Sequence, residues 1–232
     1  MIDRRKLVMM GAALLGPSRA LAGAAGQRLE TRLFNFRDTV SPEKTSEVIA
    51  ALTDVARSPE VGGFLVGRNF IPDPFATRFE WLYMIQIAPA DGGDLPPQYG
   101  RFQAIAAELS ALCRDQVQCD LAGPIAPRFA DAAAVKVRHT VMFDFRPDAS
   151  AGDQARNVDA IRNMGRLPMV QAYRVERSAT YPSDASQMQW QVIGDFASVE
   201  DYRAYSNAPV HLAIRDDFKA HTSRVAFLDV KL

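Results

Sequence analysis

The chain repeats itself at a constant offset of 109 positions, and that repeat limits what it can fold into. Phe34, Phe36 and Arg37 fall on Phe143, Phe145 and Arg146. Pro59 and Val61 fall on Pro168 and Val170, Val66 and Arg68 on Val175 and Arg177, and Asp120 on Asp229. Trp81 falls on Trp190, and the chain has only these two tryptophans. Any one match means little. Their agreement in order and residue type marks a duplicated unit, each copy about 100 residues long, an ordinary domain size. With 48% hydrophobic residues among 232, there is enough apolar material to build two cores.

Each copy reads as the same series of elements. In the first, 31–37 is a strand, and Ser41-Pro42-Glu43 supplies an N-cap, a first-turn proline and an early acid. Val48, Ile49, Leu52, Val55 and Ala56 follow at helical spacing until Ser58-Pro59 stops them. Strands are predicted over 61–70 and 79–87, with a turn at Pro72-Asp73-Pro74 between them. A loop over 90–97, a helix over 99–112 and a short strand over 118–121 complete the copy. In the second, 137–146, 170–178, 188–196 and 224–230 are strands and 154–165 is a helix. Ser198 caps a further helix, with Asp201 at the capping-box position; Pro209 breaks that helix, which continues to about Ala220.

The order βαββαβ is the ferredoxin-like motif. Its four-stranded sheet carries helices on one face only, so the other face needs a cover. Along 137–145 the odd positions are apolar apart from His139, and the even positions mix Arg138, Thr140, Met142 and Asp144. The expected fold class is α+β: ferredoxin-like units over 30–122 and 136–232, joined by a linker over 123–135. They would close sheet to sheet as a pseudo-dimeric α/β barrel within a monomeric chain. Trp81 and Trp190 are expected as paired packing residues at the barrel interface.

The N-terminus reads as an export signal. Arg4-Arg5-Lys6 forms a basic region, 7–16 a short apolar run, and Ala20-Leu21-Ala22 a cleavage signal. The arginine pair resembles a twin-arginine signal, with Asp3 where a hydroxyl residue usually stands. The expected location is the periplasm. Loss of 1–22 removes four basic residues and one acid from 27 of each, leaving 23 against 26, a net charge of −3. No basic field points to nucleic acid. No cysteine stands at the cleavage point, so no stable membrane anchor is expected after signal removal. In an oxidising compartment Cys113 and Cys119 fit either one short-loop disulfide or two separate buried thiols. A metal site is not expected, because two thiols without a nearby histidine do not complete a tetrahedral set. No cofactor motif appears: there is no glycine-rich phosphate loop and no histidine–carboxylate metal spacing.

The second copy concentrates chemistry-bearing residues. His139 sits on a strand, and Tyr205 and His211 flank the break at Pro209. A neutral imidazole in an apolar pocket takes a proton alpha to a carbonyl, and a phenol orients that base or donates to the enolate oxygen. The bland readings are a satisfied core histidine for His139, a capping or surface residue for His211, and simple packing for Tyr205. His221 reads as a solvated helix end. In the first copy Glu30, Pro96 and Phe102 replace His139, Tyr205 and His211, so it cannot carry the same chemistry; its expected role is to replace the second subunit of an ancestral dimer.

Arg138-His139-Thr140-Val141-Met142-Phe143, Phe196 to Tyr202, Tyr205-x-x-x-Pro209-x-His211 and the closing Val225-Ala-Phe-Leu-Asp-Val resemble the stress-responsive dimeric α/β barrel (Dabb) family over roughly 136–231. Most of that family has no assigned reaction. One plant member cyclises a linear polyketide by an intramolecular aldol step, and the resemblance places Tyr205 and His211 on its catalytic pair and His139 on its strand histidine. Two positions differ: Ala208 stands where a histidine is frequent, and Ile161 where that cyclase has a helix tyrosine. With the N-terminal signal, the resemblance leads to the expectation of an exported stress-response-type barrel binding a small apolar or aromatic ligand. The alternative is a cofactor-free lyase or cyclase using His211 and Tyr205, with His139 polarising. Haem-degrading and quinone-oxidising monooxygenases share the barrel type and stand third.

Overall fold

The computed structural model describes residues 28–55, 57, 61–70, 79–87, 97–122, 135–181 and 185–232. The export signal expected over 1–22, the turn at 72–74, most of the loop over 90–97 and nearly all of the linker over 123–135 lie outside the described residues.

The first half runs β1 (Arg28–Phe36), α1 (Pro42–Val55), β2 (Val61–Arg68), β3 (Trp81–Ile87), α2 (Pro97–Leu112) and β4 (Cys113–Ala122). The second runs β5 (Val137–Phe145), α3 (Ala151–Met164), β6 (Ala172–Arg177), β7 (Trp190–Phe196), α4 (Val199–Ser206), α5 (Pro209–His221) and β8 (Thr222–Lys231). Each half forms a four-stranded antiparallel sheet, β2-β3-β1-β4 and β6-β7-β5-β8. The repeat extends to the hydrogen-bond register. Arg28 pairs with Ile87 and Ala122, and Val137 pairs with Phe196 and Lys231, each 109 positions on. The register shift at Asn35/Phe36 recurs at Asp144/Phe145.

Local signals account for most element starts. Ser41 accepts from the Lys44 N–H at 3.2 Å, and Ser198 from the Asp201 N–H at 2.9 Å. α3 begins three residues before the expected 154, because Ser150 caps it and accepts from the Asp153 N–H at 3.1 Å. β4 covers ten residues rather than the expected 118–121. Its polar start, Arg114 to Gln116, looks unlike a strand, but β1 pairs with Cys113, Asp115 and Gln116 across a register shift that skips Arg114.

The sheets close on each other. Leu29, Leu33, Met84 and Cys119 of the first half share one buried cluster with Met142, Leu228 and Val230 of the second. Each such side chain removed from water contributes about 2 kcal/mol. The even positions of β5 face this interior, and Arg138 enters it with its charge matched: two parallel bonds to Asp195, at 2.7 and 2.8 Å, with both side chains buried. The odd positions face the helices, where Phe143 packs with Val158 and Phe218. Trp81 and Trp190 therefore do not meet at the barrel interface as expected. Each lies on the helix side of its own sheet, stacked on Phe34 at 6.5 Å and on Phe143 at 6.3 Å.

Two reciprocal hydrogen bonds tie the halves. The Phe70 N–H donates to the Asp229 carbonyl at 3.1 Å, and the Ala179 N–H to the Asp120 carbonyl at 2.7 Å. Both members of one pair lie 109 positions from the members of the other, as in a two-fold dimer interface. The β6–β7 connection also covers the edge of β4, with Gln118 N–H donating to Ser186 O and Met188 N–H to Gln118 O.

Cys113 and Cys119 are free and buried, which decides between the two readings. Six steps of strand separate them by about 20 Å, far beyond the ~7 Å Cα limit of a disulfide. The register shift also puts them on opposite faces: Cys113 packs with the helices and Cys119 between the sheets. Among the described residues no helix is long and apolar enough to cross a membrane, and no three potential ligands cluster for a metal.

Candidate functional site

The site forms on the helix face of the second sheet. His139, at an odd position of β5, lies opposite Gly194 on β7 and Asp229 on β8. Its Nδ1 donates to Asp229 Oδ1 at 2.6 Å, and the Tyr202 hydroxyl donates to Asp229 Oδ2 at 2.8 Å. The carboxylate, 1% exposed, is thus bonded at both oxygens, and it fixes the ring orientation of His139. With Nδ1 bonded to the carboxylate, Nε2 is the ring nitrogen of His139 left for another partner.

Tyr205 comes from α4. Its hydroxyl lies 2.9 Å from that of Tyr173 on β6, and its ring packs on Phe196 at 4.9 Å and near His139 at 6.0 Å. Burial pushes its pKa up to about 12, with the charge of Asp229 adding and the Tyr173 bond opposing. Burial, then the neighbouring Tyr205, raises Tyr173 well above the ordinary phenol range. Both phenols therefore stay protonated at neutral pH. Two glycines make the place for Tyr173: a Cβ on Gly165 would stand 2.7 Å from the Tyr173 Cβ, and one on Gly194 3.2 Å from its ring.

His211 comes from α5. On a continuous helix it and Tyr205 would be about 600° apart, on different faces. The chain solves this by breaking. Asn207 ends α4, Ala208 is extended (φ −61°, ψ 132°), and Pro209 opens α5. The Tyr205 and His211 rings then lie 4.7 Å apart. His211 Nδ1 donates to the Ser206 carbonyl at 3.1 Å, which leaves Nε2 with the lone pair. Burial, reinforced by nearby His139 and opposed by the Ser206 carbonyl, lowers its pKa to about 4. His211 is a neutral base at pH 7.

His139, Tyr205 and His211, singled out from the sequence, thus lie side by side in one cluster of rings. Tyr202, Asp229 and Tyr173 are site residues that sequence reasoning passed over as functional. Asp229 carried a signal: a carboxylate in an apolar strand needs a partner, and His139 is its cross-strand neighbour. Tyr173, at the start of an edge strand, carried none. In the first half Glu30 and Phe102 stand at the positions of His139 and His211, and Pro96 lies outside the described residues.

Residues 137–232 match the model of the Stress responsive A/B Barrel Domain. No curated protein matches the chain. Among solved structures, an anthrone oxidase-like protein is similar over 90% of this chain and 94% of its own, at 14% identity and a TM-score of 0.57. A putative monooxygenase from Fusobacterium nucleatum is similar over 89% and 92%, at 9% identity and a TM-score of 0.54. A dabb family protein with a ferredoxin-like fold from Mesorhizobium loti covers 41% of this chain and 94% of its own, at 23% identity and a TM-score of 0.36. The first two share the fold across both halves. The C-terminal half of this chain, which holds the His139–Asp229–Tyr202 and Tyr173–Tyr205 pairings, is the part similar to the stress responsive A/B barrel (Dabb) family.

Proposed function

We propose that the C-terminal half binds a small apolar or aromatic compound bearing a carbonyl or phenolic oxygen, held between sheet and helices by Tyr205, His139 and His211. The observation that supports this reading is the convergence of the three side chains in one cluster, with both imidazoles fixed through Nδ1. Aromatic rings supply the apolar wall, and the imidazole Nε2 atoms and phenols supply a few oriented polar contacts, the usual composition of a small-molecule site. Native mass spectrometry of the purified protein tests it. A bound small molecule is expected on the wild type and a weaker or absent one on His211→Ala. A bare wild type that also binds no aryl ketone or phenol in titration would sink the reading.

A second reading, acid–base catalysis without a cofactor, is favoured by the neutrality of His211 beside a protonated phenol. His211 Nε2 would take a proton alpha to the carbonyl, and the Tyr205 hydroxyl would donate a hydrogen bond to the enolate oxygen. Asp229 would hold His139 for the same oxygen. Proton exchange at the alpha carbon of acetophenone in deuterated buffer, followed by NMR, separates the readings. Catalysis predicts exchange that drops at least tenfold in His211→Ala while the ketone still binds. Equal exchange in both proteins leaves binding alone.

Export to the periplasm is part of the same proposal and rests on Arg4-Arg5 and Ala20-Leu21-Ala22. Cell fractionation is expected to show a shortened periplasmic form that disappears when both arginines become lysine.

A further inference from the structure

The first half holds an open cleft of about 320 Å³ between β1, β4 and α2. It occupies the place that the His139 site occupies in the second half, but its chemistry is different. Arg28, Glu30 and Arg32 succeed each other along the helix face of β1. The Arg32 guanidinium is bonded mainly to neutral acceptors, Ser110 Oγ at 2.6 Å, Gln118 Oε1 at 2.8 Å and Gln116 Oε1 at 3.2 Å. Its carboxylate neighbour, Glu30, stands off at 3.6 Å. Asp120, in the same cleft, pairs with Arg28 and accepts from the Thr180 hydroxyl at 2.8 Å through Oδ2, and its Oδ1 is buried without a hydrogen-bond partner. The Nε atoms of Arg28 and Arg32 are buried and have no hydrogen-bond partner. Tyr99 and Phe102, with ring centroids 6.1 Å apart, form an apolar wall beside these cations.

We propose that this cleft is a second ligand site, independent of the first, that takes a small aromatic or apolar carboxylic acid: the arginines meet its carboxylate, and Tyr99 and Phe102 flank its body. An acid fits the charges when Glu30 is protonated. Two arginines face Glu30 and Asp120, so the cleft is neutral with Glu30 ionised and carries +1 with Glu30 protonated. Burial raises the pKa of Glu30, against the Tyr83 hydroxyl bond (2.6 Å) and the Arg32 charge that lower it. The remaining titratable groups that face it, Tyr83 and Tyr99, have raised pKa values and stay neutral. Binding an anion therefore takes up a proton at Glu30 and tightens as pH falls.

Benzoate and its neutral counterpart benzyl alcohol are the probes, titrated calorimetrically into the wild type, Arg32→Gln, Glu30→Gln and His211→Ala. Benzoate is expected to bind better than benzyl alcohol, with affinity rising by at most about tenfold per pH unit on acidification, the limit for one linked proton. Arg32→Gln is expected to weaken benzoate at least tenfold, Glu30→Gln to abolish the pH dependence, and His211→Ala to change neither. Equal binding of the two probes, no benzoate binding at millimolar concentration, or loss of binding in His211→Ala overturns the proposal. If Arg32→Gln fails to fold by circular dichroism, Glu30→Gln decides: a retained pH dependence overturns the proposal.

Discussion

At the residue scale, the second half depends on two polar side chains taken out of water on different terms. Asp229 is buried and accepts at both oxygens, from His139 and from Tyr202, so changing it leaves a donor without an acceptor. Asp229→Asn keeps the shape but gives Tyr202 or His139 an amide N–H to face. It is expected to cost about 1–3 kcal/mol in urea unfolding, the penalty of a broken buried hydrogen bond. His211 is buried neutral, with its pKa lowered to about 4 from 6.5. Between those values the unfolded chain binds a proton that the folded chain refuses. Its contribution is therefore intact above pH 6.5 and is lost as pH falls toward 4. The loss amounts to no more than about 3.4 kcal/mol at 1.36 kcal/mol per pKa unit. Urea midpoints measured at neutral and mildly acidic pH are expected to fall less for His211→Gln than for the wild type. Equal falls would mean that His211 titrates normally in the folded protein.

At the element scale, helix starts were legible and strand extents less so. Ser198, with Asp201 three positions on, announced α4, and Pro209 announced the break that brings His211 against Tyr205. The same sequence hid the first half of β4, because Arg114, Asp115 and Gln116 are polar at a sheet edge and the register shift against β1 interrupts the period-two pattern. That shift also separates the two thiols. Burial raises the pKa of Cys113 to about 11 and that of Cys119 further still, so neither is a thiolate at neutral pH. Native protein kept under air is expected to show almost no reactive thiol toward a disulfide reagent, and two after unfolding in guanidinium. One missing thiol pair in the unfolded titration would place the cysteines in a bridge that the strand geometry forbids. The candidate site was legible where it used histidine and tyrosine around a proline. Tyr173 escaped notice because its role depends on the room left by Gly165 and Gly194, which only the packed structure reveals.

At the scale of the whole molecule, the repeat was the most informative part of the sequence, because a sheet with one bare face can be completed by its own copy. What it could not supply is how closely the sheets approach. β2 meets β8 where Gly67 faces Val230: a Cβ on Gly67 would lie 2.6 Å from Val230 Cγ1 and 3.0 Å from its Cβ. Val230 is fully buried and branched at that atom, so it cannot swing aside as a long side chain would. Gly67→Ala is therefore expected to destabilise the protein by about 1–3 kcal/mol, the cost of overpacking a filled interior. Val230→Ala is expected to cost about 2 kcal/mol through the cavity it leaves. In the double variant the new methyl enters that cavity, so the two losses should sum to at least 1 kcal/mol more than the double variant loses, well outside the ~0.5 kcal/mol scatter of independent sites. Urea unfolding of the four proteins measures this coupling. Because Gly67 belongs to one half and Val230 to the other, simple additivity would mean that the two sheets do not pack at this point, and the closure of the barrel across the duplicated halves would fall with it.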